Sequence, residues 1–160
     1  MKHIYILLCF FLFLTQNQWA QKALKLDSLK QALLYVDDSK LRIELLLNLS
    51  QFSLQENLEE ALGYAQKATQ LSLQTGSKSA LIQSYLYLSR IYKNKNDIKQ
   101  AIGYIQEAKH LAENEKLEEE YAEALYLMAR IYVELGEYEK TAELLFEALH
   151  IFEKHENNKG

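Results

Sequence analysis

The chain has 160 residues, of which 49% are hydrophobic and 25% charged, and it carries a formal charge of −4 at neutral pH. That composition belongs to a folded chain rather than a disordered one. Its scattered Lys and Arg, outnumbered by acids, argue against a nucleic-acid partner. Proline is absent and glycines number only five, too few turn formers for a strand-rich protein, so long uninterrupted helices are expected.

The N-terminus reads as a leader spanning residues 1–20. Lys2 and His3 precede the apolar run Ile4–Leu14, followed by polar residues and then Trp19-Ala20-Gln21, the order found in a secretory signal peptide. Cleavage is expected after Ala20, although Gln18 is larger than the residue usual two places before a cut. An uncleaved anchor is the competing reading, and eleven apolar residues fall short of the roughly twenty that cross a bilayer. Cys9 is rejected as a lipid-attachment site because Leu7 and Leu8 stand where small residues belong. Without the leader no cysteine remains, which excludes disulfides and thiol chemistry from the mature chain. The expected location is therefore exported, periplasmic or secreted, with no membrane insertion after cleavage.

Residues 21–38 are expected to form an N-terminal capping segment, with a helix from about Asp27 to Val36. Ser28 and Gln31 have capping-box spacing, and Leu29, Ala32, Leu33 and Val36 form a stripe of helical period. Asp37-Asp38-Ser39 ends this helix and can cap the next. Covering the open end of whatever follows is the natural role of this piece.

From residue 39 to 155 one helix–turn–helix unit occurs three times, at about 42–76, 82–114 and 122–153, with a period of forty. Ala122–Ile151 is the fullest copy, turning at Leu135-Gly136-Glu137. Phe52, Tyr92 and Tyr132 are equivalent aromatics near the end of each first helix. Leu58, Ile98 and Tyr138 open each second helix. Ala61, Ala101 and Thr141, then Ala68, Ala108 and Ala148, are small residues that permit close helix approach. Asn57 with Glu60, and Asp97 with Gln100, are cap pairs, and Gly76 and Gly136 stand where helices should end. Gly63 and Gly103 fall inside helices, at a cost of about 1 kcal/mol each, which points to close packing by a neighbour. Residues 156–160 form a polar tail.

This pattern resembles the tetratricopeptide repeat, usually 34 residues long. Leu125, Met128, Ala129, Tyr132, Gly136, Tyr138, Thr141, Leu145 and Ala148 carry the likeness in the third copy. Two departures stand out: the family's proline after the second helix is missing, with Leu73, Glu113 and Glu153 in its place, and the period is six residues longer. The resemblance implies an all-α, right-handed α-solenoid whose first helices line a concave peptide groove. The groove positions it carries over are Ile43, Leu46 and Ser50; Gln83, Leu86, Arg90 and Lys93; and Glu123, Tyr126, Arg130 and Val133. Leu46, Leu86 and Tyr126 would make an apolar floor, and Arg90 and Arg130 could take a carboxylate or phosphate. The opposing reading pairs those arginines with Glu123 and Glu134. The family's carboxylate clamp of lysine and asparagine is absent. Long-period repeats of this kind also resemble the exported N-terminal region of bacterial signalling proteins, in which a membrane segment and a histidine kinase or DNA-binding output domain follow.

Motifs for catalysis are missing: there is no phosphate loop, nucleophile elbow or His-Glu-x-x-His. Accordingly no catalytic or metal-binding residue and no cofactor is assigned. His110 and His150 read as surface residues, and Glu118-Glu119-Glu120 as a solvated first helical turn. One contrast concerns the last second helix. Gln66 and Gln106 become Phe146, Thr69 and Lys109 become Leu149, and Ser72 and Ala112 become Phe152. This apolar face marks a contact site or a missing neighbour. The expectation is a non-enzymatic scaffold that binds a protein or peptide, with a homodimer through Phe146, Leu149 and Phe152 as a further option. The alternative is the sensory part of a signalling protein lacking its output domain.

Overall fold

A computed structural model describes residues 24–157, and all regular structure among them is helical. Helix α1 covers residues 24–35. The others are α2 (Ser39–Ser53), α3 (Leu58–Thr75), α4 (Lys78–Asn94), α5 (Ile98–Asn114), α6 (Glu118–Glu134) and α7 (Tyr138–Asn157). The expected leader and cleavage site, with Cys9, lie outside the described residues, as does the end of the tail.

Short polar residues start several of these helices. The carboxylate of Asp38 accepts from the Leu41 amide at 2.7 Å, Asn57 from Glu60 at 3.1 Å and Asp97 from Gln100 at 3.1 Å, each satisfying an orphan donor of a first turn. The reciprocal half of the capping box is not made at Glu60, whose carboxylate is engaged by Lys30, Tyr64 and Ser53. Nor do Ser28 and Gln31 start α1. That helix begins earlier, and the Ser28 hydroxyl donates to the Lys25 carbonyl inside it, as a serine within a helix does.

Helix ends repeat with the period too. Gly76 and Lys116, forty residues apart, both take a left-handed conformation at φ 69° and 57°, and Asn96 and Gly136 match at 61° and 77°. In each case the next amide closes a six-residue loop, as in Leu117 to Ala112 and Glu137 to Tyr132. This is the Schellman arrangement. Lysine and asparagine occupy two of the four positions despite the steric cost of that conformation.

Each helix packs on the next in sequence. In addition, α2 touches α4 and α4 touches α6, whereas α3, α5 and α7 do not touch one another. The first helices therefore form a close inner row and the second helices a spread outer row, which curves the array around α2, α4 and α6. Burial has the period of the sequence: the pattern of buried, half-buried and exposed positions over 61–80 is identical to that over 101–120. Ala61, Ala101, Ala68 and Ala108 are fully buried between the rows, with Ile82, Leu86, Ile105 and Met128 filling the space around Ala101 and Ala108. Small polar residues in this core satisfy themselves locally. Ser72 donates to the Ala68 carbonyl, Ser84 to Ala80 and Thr141 to Glu137.

Gly63 and Gly103 do not behave as the sequence suggests. A Cβ at either would meet nothing within 4 Å. Both point into open space, so close packing is not the reason for them. Nothing in the structure explains the choice of glycine there.

Candidate functional site

The inner row brings three basic residues to one hollow. Arg90 and Lys93, near the C-terminal end of α4, and Arg130 on α6 line a cavity of about 280 Å³ together with Gln51, Gln55 and Asn94. Two of the three cations are already engaged. Arg90 bonds Glu123 at 2.8 Å and lies 5.2 Å from the Tyr87 ring, and Lys93 bonds Glu134 at 2.6 Å. Glu123 is held in place by a second donor, the Gln83 amide at 3.0 Å. Arg130 stands 6.0 Å from the ring of Tyr126 and has no carboxylate partner among the described residues. A guanidinium stacked on an aromatic keeps its in-plane donors free for an anion.

The remaining groove positions divide. Tyr126 and Val133 are exposed, at 46% and 47%. Leu46 and Leu86, expected as an apolar floor, are 4% and 0% exposed and belong to two separate core clusters. Ile43 and Ser50 are buried as well, and the Ser50 hydroxyl donates to the Ala61 carbonyl. The reason is positional. In the column of Leu46, Leu86 and Tyr126 the neighbouring helices cover the side chain on α2 and α4, and only on α6 does it open to solvent. A peptide on the concave face would meet tyrosine rings, amides and cations, with Leu54, Leu127 and Ile131 lining the hollow in place of Leu46 and Leu86. The paired reading of the arginines is correct for Arg90 and incorrect for Arg130, since Lys93 takes Glu134. The amides Gln51, Gln55 and Asn94 had no motif to single them out.

Elsewhere the charges tie helix to helix. Lys95 bonds Glu59, Lys154 bonds Glu118, and Ser79 donates to Glu120 at 2.7 Å. The acidic first turn of α6 is exposed at Glu118 and Glu119 and half-buried at Glu120, with Lys154 on Glu118 and Ser79 on Glu120. Tyr121 donates to Glu147 at 2.9 Å, linking α6 to α7. Burial first, and then that bond, push its phenol up to about 12. His110 and His150 are exposed, and His110 contacts Asn114. No group of His, Cys, Asp or Glu that could hold a metal occurs among the described residues. No described helix is long and apolar enough to cross a membrane.

The second surface is the outer side of α7. Phe146, Leu149 and Phe152 are 72%, 51% and 41% exposed, with Leu145 at 40% beside them. The three residues singled out in the sequence share one side of the helix and face solvent.

No protein-family model matches the chain, and no curated protein does. Among solved structures it is similar to the crystal structure of BtubC (BKLC) from P. vanneervenii. The TM-score is 0.67 at 18% identity, covering 87% of this chain and 57% of that one. The chain thus spans little more than half the length of that protein. The crystal structure of MamA superposes less well, with a TM-score of 0.41 at 13% identity over 89% of this chain and 95% of that one. Helix pairs of fixed period, an inner row in contact and the BtubC likeness define the class: an all-α solenoid of tetratricopeptide-like helical repeats.

Proposed function

We propose that the protein is a non-enzymatic, exported scaffold that holds a protein or peptide partner on the concave face of its array. The observation that carries this reading is Arg130, a cation without a carboxylate partner among the described residues, set beside a hollow already lined by amides. The bound feature is an acidic side chain or a phosphate on the partner, received by Arg130 and oriented by Gln51, Gln55 and Asn94. The leader at residues 1–20 supports export. The apolar side of α7 supports a second contact, self-association through Phe146, Leu149 and Phe152.

A hexaglutamate peptide tests the concave face. It binds saturably at low salt, and the double change Arg90→Ala, Arg130→Ala weakens it at least tenfold while the helical circular dichroism is unchanged. Equal binding by wild type and variant reduces the arginines to surface ion-pair residues. The alternative, a sensory region of a signalling protein, draws on the same side of α7, which a following domain would cover. An in-frame membrane segment and kinase downstream in the genome would favour it.

A further inference from the structure

Helix α7 carries two apolar stripes. One runs through Thr141, Leu144, Ala148 and Ile151 and packs against α6. The other is Tyr138, Ala142, Leu145, Leu149 and Phe152, all exposed, with the alternating four-and-three spacing of a coiled-coil seam. In α3 and α5 the same columns lie under the first helix of the next repeat. Their last position is small there: Ser72 and Ala112 are 1% and 0% exposed, because α4 and α6 approach closely. Phe152 in that column does not fit beneath a helix at the same distance. Phe146 occupies the column of Gln66 and Gln106, which stay exposed even where a repeat follows. The face is thus both too bulky and too wide for another repeat in the same register.

We propose that its occupant is a second copy of the chain, with the two α7 helices crossing antiparallel along their seams. This rests on the reading of α7 as a self-association face and specifies its geometry. Side-chain size selects the direction. Antiparallel pairing sets Ala142 of each copy against Phe152 of the other and Leu145 against Leu149, large against small and medium against medium. Parallel pairing would set Phe152 against itself and leave a gap between two alanines. The twofold axis then falls near Phe146, whose two rings close one side of the seam, as an isologous contact requires. The seam and Phe146 amount to six residues per copy, against about 20–30 a side in a standard interface, so the dimer is weak and concentration-dependent. Glu139 and Glu153 flank the seam on the Phe146 side and oppose each other across the pair, so salt strengthens it by screening their repulsion.

The full chain carrying Cys9→Ser supplies the test. Sedimentation across a concentration series shows a monomer–dimer equilibrium that tightens several-fold from low to high salt and on Glu153→Lys. It is lost in the Phe146→Gln, Leu149→Lys, Phe152→Ser variant, whose helical circular dichroism is retained. Under mild oxidation Phe146→Cys gives a covalent dimer. Tyr138→Cys does not, because antiparallel helices set those positions about 27 Å apart. A strictly monomeric chain, or association that survives the triple change, overturns self-association through α7. A dimer in which Tyr138→Cys also crosslinks overturns the antiparallel arrangement alone.

Discussion

Helices α5 and α7 hold the same place in successive repeats, forty residues apart, yet they are built for different neighbours. In α5 the column facing the next repeat narrows to Ala112, fully buried beneath α6. In α7 the same column widens to Phe152, which looks out on solvent beside Glu119, Glu120 and Glu123. Repetition of backbone is therefore not repetition of surface. The small residues that make the stack possible serve where another helix lies over them, as α6 lies over Ala112.

The sharpest way to break this comparison is to exchange the two residues. Ala112→Phe overpacks the α5–α6 contact and costs about 3 kcal/mol, at the upper end of such insertions, read as a lowered urea midpoint. Phe152→Ala costs about 1 kcal/mol, well short of a core truncation, because the residue is 41% exposed. If Ala112→Phe is tolerated, the column has slack and a further repeat could cover Phe152.

A smaller effect comes from positions where α5 keeps a residue that its neighbours improve on. The equivalent of Gly103 in α7 is Glu143, and a Cβ at Gly103 meets nothing within 4 Å. Gly103→Ala should therefore stabilise by about 1 kcal/mol, the helix-propensity difference. Lys116 holds the left-handed position that Gly76 holds one repeat earlier, and Lys116→Gly should gain a similar amount, about 1 kcal/mol. Thermal or urea unfolding reads both; a loss of stability in either means a contact has been missed.

The smallest effect lies at the α6–α7 joint. Below pH 10 the Tyr121 phenol is protonated in the folded and unfolded chains alike. Above it the unfolded chain ionises while the folded one keeps its proton to about 12, so stability falls across that interval. Burial also raises Tyr64 and Tyr104, which adds to the fall. Tyr121→Phe should shrink this alkaline loss without changing stability at neutral pH by more than the one hydrogen bond to Glu147. An unaltered alkaline profile would assign the loss to the other tyrosines.

The fold was legible because the packing of a repeat array is written locally. Ala61, Ala101 and Thr141 are small for the same reason at the same place, and a fixed period exposes that reason without any knowledge of neighbours. Caps were legible at Asn57 and Asp97, where one side chain and one amide suffice. The binding surface was less legible. Leu46, Leu86 and Tyr126 share a column, but whether that column is core or solvent depends on which helices lie over it, and residue type does not say. Gly63 and Gly103 failed in the same way, since their conformational cost is visible in sequence and the empty space beside them is not. Arg130 differs from Arg90 only through an acid thirty-three residues later, a relation that appears once the curvature of the array is known.

The two rows also have a mechanical consequence. Because α2, α4 and α6 touch while α3, α5 and α7 do not, the inner row acts as a hinge line and the outer row as an open fan. Bending the array changes the gaps of the fan without breaking any contact within it, and it opens or narrows the hollow beneath Arg90, Lys93 and Arg130.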